Sequence, residues 1–178
     1  MTTTTTDATP AQTAREFFRK LILGYTQHEN DLEVSAGDLP GRIVITVRAN
    51  RDDHPRIVGT RGAHIMALQS IAAAYGRRNN TKIALTLLEP VRGEKAQLRP
   101  FEAAENWNEG ETMELMNELL DRTTPQGWHA DHVAVAELST IQITRADGEP
   151  VPADFVQSLH LLFHAIGKNQ GRQIHVTA

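Results

Sequence analysis

Two glycines three residues apart, Gly59 and Gly62, sit where an apolar run meets a helical pattern, and no other feature restricts the path of the chain as much. Ile57-Val58 leads into the first glycine, while Ile65, Leu68 and Ile71 follow the second at helical spacing. With no Cβ, the two positions let the backbone turn sharply between helices and let another chain come close. Pairs of glycines at this spacing arise by chance in a chain with 12 of them, and the competing reading is an ordinary helix–helix turn. The context favours a site. The N–H groups near Gly62, Ala63 and His64 open a helix whose dipole attracts anions. Thr60 adds a hydroxyl, and Arg61 and Arg56 add positive charge.

The flanking elements follow from patterning. Residues 1–10 form a Thr-rich tail expected to be disordered. Phe17, Phe18, Leu21 and Ile22 mark a helix from Ala11 to about Gly24. Leu32–Val34 and Arg42–Arg48 read as strands around a Gly37–Gly41 turn. Asp52-Asp53-His54-Pro55 reads as a capped start of a short helix that Gly59 stops. A long helix runs from Gly62 to about Tyr75, and Lys82–Leu88 is a strand. After a linker at 90–110 the order recurs, with a helix over Glu111–Asp121 and strands at Val133–Leu138 and Thr140–Thr144. A helix over Ala153–Ile166 and a strand over Gln173–Val176 complete it. Gln69-Ser70-Ile71 and Gln157-Ser158-Leu159 occupy similar places in the two long helices, and both helices leave through a polar turn containing glycine.

The Gly59–Gly62 segment resembles the K-homology (KH) domain, whose signature is a G-x-x-G loop between two helices after an Ile/Val pair. The order α-β-β-α-α-β over residues 11–89 resembles the type II, prokaryotic arrangement. The resemblance implies an α+β fold that binds about four nucleotides of single-stranded RNA, or of single-stranded DNA, with the loop clamping the backbone. Carried over by position, Gly59, Thr60, Arg61 and Gly62 hold phosphate, and Ile57, Val58 and Ile65 line or support the base groove. The same resemblance makes residues 111–178 a second, degenerate KH-like α+β domain. It lacks the loop, and Glu149 and Asp154 stand near its helix start.

Charge fits this division. The net formal charge is −4, yet residues 42–99 carry eleven basic side chains against four acidic, and residues 100–178 carry four against twelve. One face is thus expected to meet anions, and the acidic half to serve packing, a protein partner or self-association. The absence of cysteine excludes disulfides and thiolate sites. No stretch reaches membrane-spanning length and Met1–Thr13 has no apolar signal core, so a cytoplasmic protein without membrane contact is expected. His160 and His164 lie four apart, but Leu161 stands where a zincin carries Glu, and no third ligand is evident. His129, Asp131 and His132 form a polar knot without metal spacing. Neither a catalytic set, a cofactor motif nor a metal site emerges, so an enzyme is not expected. Two readings remain: a single-strand binder, or a non-catalytic assembly module that keeps a KH-like fold.

Overall fold

Thr9 opens the first helix. Its hydroxyl accepts from the Gln12 N–H while the Gln12 side chain accepts from the Thr9 N–H, a reciprocal cap with Pro10 at the first helical position. In this computed structural model, which describes residues 8–90, 108–135 and 138–178, helix α1 therefore spans Pro10–Leu23, one residue earlier than the apolar pattern indicates. Strands β1 (Glu33–Leu39) and β2 (Arg42–Arg48) form a hairpin closed at Pro40-Gly41, with Gly41 in the left-handed region. A short helix α2 (His54–Val58) and a single 3-10 turn at Thr60–Gly62 lead into helix α3 (Ala63–Arg78), and β3 (Lys82–Leu87) follows. The linker expected at 90–110 falls largely outside the described residues. The second half comprises α4 (Glu109–Thr123), β4 (Trp128–Val135), β5 (Leu138–Arg145), α5 (Ala153–Asn169) and β6 (Gln173–Thr177).

The fold is mixed α+β, with five helices and two three-stranded sheets among the described residues. Both sheets follow one plan. In the order β1-β2-β3 the first pair is antiparallel and the second parallel, and β4-β5-β6 repeats this. The corners that lead from each long helix into the last strand also match. The Thr81 N–H donates to Gly76 O at 2.9 Å, and the Arg172 N–H donates to Gly167 O at 2.8 Å. Asn80 and Gly171 both take positive φ. A Cβ on Gly76 or Gly167 would lie 2.6 Å from the carbonyl oxygen of Thr81 or Arg172, so both glycines are required by the close return of the chain.

The equivalent corner residues lie 91 apart in sequence, which aligns Gln69 with His160. The similarity of Gln69-Ser70-Ile71 to Gln157-Ser158-Leu159 is therefore three residues out of register, and those triplets are not structural counterparts. Ile45 and its β3 partner Leu85 are 40 residues apart, whereas Ile141 and its β6 partner Val176 are 35 apart. The second half is shorter between its hairpin and its last strand, and nothing there corresponds to α2.

The halves share one continuous apolar core. Phe17 and Phe18 of α1 pack around Tyr75 of α3 with ring centroids 5.1–5.9 Å apart, all three buried. Helix α3 packs on its own strand β3 and on both α4 and α5. Asn169 on α5 donates to the carbonyls of Gly24 and Thr26 at 3.3 and 3.2 Å, tying the end of α5 to the end of α1. Lys20 on α1 reaches Glu118 on α4 at 2.8 Å. None of the described helices is long and apolar enough to cross a membrane.

Candidate nucleic-acid interface

The backbone at the glycine turn is unusual at three of its four residues. Gly59 has φ 73° and ψ 173°, a region open essentially to glycine alone; Arg61 (φ 55°, ψ 26°) and Gly62 (φ 81°, ψ 13°) are left-handed. The two glycines serve different ends. A Cβ on Gly59 would lie 2.6 Å from the His64 ring and 2.8 Å from its backbone nitrogen, so this glycine admits His64. A Cβ on Gly62 would meet nothing closer than Ile65 at 3.9 Å, so the surface beyond it is open.

His64 explains the tightness. Its Nδ1 lies 2.7 Å from the carbonyl oxygen of Arg56 and therefore carries the proton, fastening the end of α2 to the start of α3. Tyr25 meets the His64 ring at 6.1 Å; burial pushes its phenol pKa up, and its hydroxyl finds no partner among the described residues. Ile57 is fully buried, so it supports the turn from below and does not line a groove. Ile65 is half-buried against the core, with Val58 at the same level of exposure.

The donors differ from those expected. The Gly62 N–H donates to Gly59 O and the Ala63 N–H to Thr60 O, so these two are consumed within the 3-10 turn. The N–H groups of Thr60 and Arg61, two successive donors at the exposed tip, have no partner among the described residues. Consecutive N–H groups in such a turn form an anion-binding concavity. The Arg61 side chain is exposed and makes no ion pair among the described residues.

Asp53 occupies the position before α2 but does not cap it. Its carboxylate, 1% exposed, accepts from the backbone N–H groups of Gln27 and His28 at 2.9 and 2.8 Å and lies 3.0 Å from His28 Nδ1. It anchors the segment after α1 beneath the turn, and Arg56 approaches it at 3.9 Å.

The basic residues do not form one continuous face. Arg48, Arg51, Arg56 and Arg61 lie at the end of the molecule where β2 runs into the turn. Arg77, Arg78, Lys82 and Arg42 gather at the other end of α3, a 16-residue helix about 24 Å long. Between these ends runs the open edge of β3. The N–H groups of Lys82 and Leu88 point to the β2 side, donating to Gly41 O and Val47 O, so Ile83, Leu85 and Leu87 present their backbone groups outward. Gln69 on α3 spans to this edge and donates to Leu85 O at 3.3 Å.

In the second half the same place is filled differently. His160, the counterpart of Gln69, accepts the Val176 N–H at 3.2 Å, and Val176 is the counterpart of Leu85. His164 and His175 stand where the first half has Ala73 and Ala84, and the three imidazole centroids lie 5.2–6.5 Å apart. His175 is the third histidine that sequence spacing does not bring to the pair, yet no group among the described residues is arranged to hold a metal ion. Burial first, then the neighbouring His175 and His164, hold the His160 pKa below its ordinary value. The polar knot at 129–132 is divided by strand alternation, and His132 instead bonds Glu109 at 2.6 Å.

Comparison of the chain with models of protein families, with curated proteins and with solved structures gives no match.

Proposed function

We propose that the protein binds single-stranded nucleic acid, RNA in the first instance, by clamping the phosphate backbone at Gly59–Gly62. The observation that carries this reading is the pair of N–H groups of Thr60 and Arg61 at an exposed tip, beside the Arg61 side chain and open space over Gly62, none of these donors having a partner among the described residues. The order α1-β1-β2-α2-α3-β3, with β2 and β3 parallel, supports the type II KH-like reading. The outward backbone groups of β3 offer bases a hydrogen-bonding edge beside α3, as recognition of unstacked bases requires. The second half is then a KH-like copy without the clamp, its groove filled by histidines. No step here is catalytic.

Labelled single-stranded RNA, single-stranded DNA and duplex, titrated by fluorescence anisotropy, test this. Wild type should bind the single strands, and Thr60→Asp/Arg61→Asp should not, with unchanged circular dichroism; Asp tolerates the left-handed conformation of Arg61. Equal binding by both proteins defeats the clamp. Three or four neutralised phosphates give a log–log salt slope of roughly −2 to −3 on single strands. The alternative of an assembly module draws on Val133 (57% exposed) and Leu138 (40% exposed), which lie at the end of the β4–β5 hairpin where the chain passes from one strand to the other, in the acidic half. Under that reading Val133→Lys lowers the mass measured by light scattering, while single strands bind neither variant.

A further inference from the structure

At the far end of α3 from the glycine turn, the seam between the halves opens into a cleft of about 610 Å³, within the range of small-ligand sites. One wall comes from α3, with Ser70, Arg77 and Arg78. The other comes from the second half, with Trp128, Asp154 and Phe155. Arg77 and Arg78 are exposed, and neither side chain has a hydrogen bond or ion pair among the described residues. The side chains of two successive arginines thus line a cleft with their donors uncommitted among the described residues, where most other arginines are paired.

The aromatic wall is fixed. Trp128 and Phe155 meet edge to face at 5.7 Å and 89°. Arg145 lies 5.5 Å over the Trp128 ring and is itself held by Pro150 O and Asp147, but it does not line the cleft. Trp128 is half-buried, so it offers the cleft a rigid aromatic surface that needs no rearrangement. The cleft therefore combines two cations from one wall, an aromatic surface from the other, and a single carboxylate, Asp154.

A plain anion suits this poorly, because Asp154 repels it, and an apolar ligand leaves three charges without partners. A molecule with an anionic group, a flat ring and a hydrogen-donating edge satisfies all of them. We propose that the cleft binds a guanine nucleotide: its phosphate on Arg77 and Arg78, its ring against Trp128 and Phe155, and its N1–H and N2–H donors on the Asp154 carboxylate. Guanidinium groups match phosphate oxygens as forked donors. Guanine is the base whose pairing edge offers two adjacent donors to a carboxylate, which adenine lacks. The site is separate from the glycine turn and does not depend on its function. The same chemistry comes from a free nucleotide or from the phosphorylated end of a strand.

The test uses full-length protein carrying Trp107→Phe, which leaves Trp128 the sole tryptophan of the two in the chain. Tryptophan fluorescence is titrated with guanosine monophosphate, adenosine monophosphate and inorganic phosphate. Saturable change at lower concentration for the guanine than for the adenine nucleotide is expected, with inorganic phosphate a weak competitor. Arg77→Gln/Arg78→Gln should weaken the guanine nucleotide by about tenfold or more, and Asp154→Asn should erase most of the preference over adenine. Thr60→Asp/Arg61→Asp should leave binding unchanged. A 5′-phosphorylated oligonucleotide beginning with guanosine, competing more tightly than the mononucleotide and sensitive to the arginine changes, assigns the site to strand ends. Failure of that oligonucleotide to compete assigns it to free nucleotide. The proposal is overturned if neither nucleotide gives a saturable change, if the arginine variant (folded by circular dichroism) binds as wild type, or if phosphate competes as well as the nucleotide.

Discussion

Gly59 and Arg61, two residues apart, both hold positive φ, but substitution should act in opposite ways. At Gly59 a side chain meets a backbone conformation almost closed to it and a Cβ position already taken by His64. We expect Gly59→Ala to cost about 2–3 kcal/mol, read as a lower urea midpoint. Arg61 is a non-glycine residue in the left-handed region, where glycine removes strain but adds freedom to the unfolded chain. Arg61→Gly should therefore change stability by no more than about 1 kcal/mol. The same change removes the unpaired charge at the tip and should weaken single-strand binding, separating folding from recognition in one variant. Sequence reading locates this turn from its glycines and flanking periodicity, but not the reason for each glycine, because that reason is His64 folding back toward Arg56. Asp53 is similar: its position before Pro55 reads as a cap, while its carboxylate is committed to Gln27 and His28, 26 and 25 residues away. Local pattern carries no trace of such a partner.

The elements repeat more faithfully than their residues. The corners at Gly76 and Gly167 share the same return hydrogen bond and the same blocked Cβ position, so Gly76→Ala and Gly167→Ala should each destabilise, by about 1–3 kcal/mol, in urea titrations. A cost at one corner only would mean the two are less alike than their geometry. Helices and buried strands were readable because apolar periodicity records which face is covered: α1, β2 and α5 fall close to their expected places. Strand β4 begins at Trp128, five residues before its apolar pattern starts, since His129 and Asp131 alternate with partly covered residues on an edge strand. The match of Gln69-Ser70-Ile71 to Gln157-Ser158-Leu159 misleads for a related reason. A shared triplet is weak evidence beside a hydrogen-bonded corner, and the corner sets the register.

Across the whole molecule, charge read along the chain merges what the fold separates. The basic middle becomes two groups at opposite ends of α3, one beside the glycine turn and one beside the cleft. The acidic half is bound to the first in part by Glu118. Burial alone would raise the pKa of this carboxyl, but hydrogen bonds from Lys20 and Arg122 outweigh it and hold the value below the ordinary 4.5. The unfolded chain takes up a proton at His160 near pH 6.5, whereas burial and two neighbouring imidazoles make the folded protein resist it. The unfolded state then binds more protons, so stability should be full above about pH 6.5 and fall as pH drops below it. Urea midpoints at about pH 7.5 and 5.5 measure this, and His160→Gln, which keeps an acceptor for the Val176 N–H, should flatten the difference.

The second half reaches the same sheet order with five fewer residues between its paired strands and no counterpart of α2. The scaffold thus closes without the segment that carries the turn. The glycine turn is thus an insertion that the architecture tolerates, and the molecule contains its own control: one copy with the turn and one without. Under the proposed function, grafting the short connection 145–153 in place of 49–62 should yield a folded protein that no longer holds single strands, whereas the reverse graft moves the turn to a groove already occupied by imidazoles.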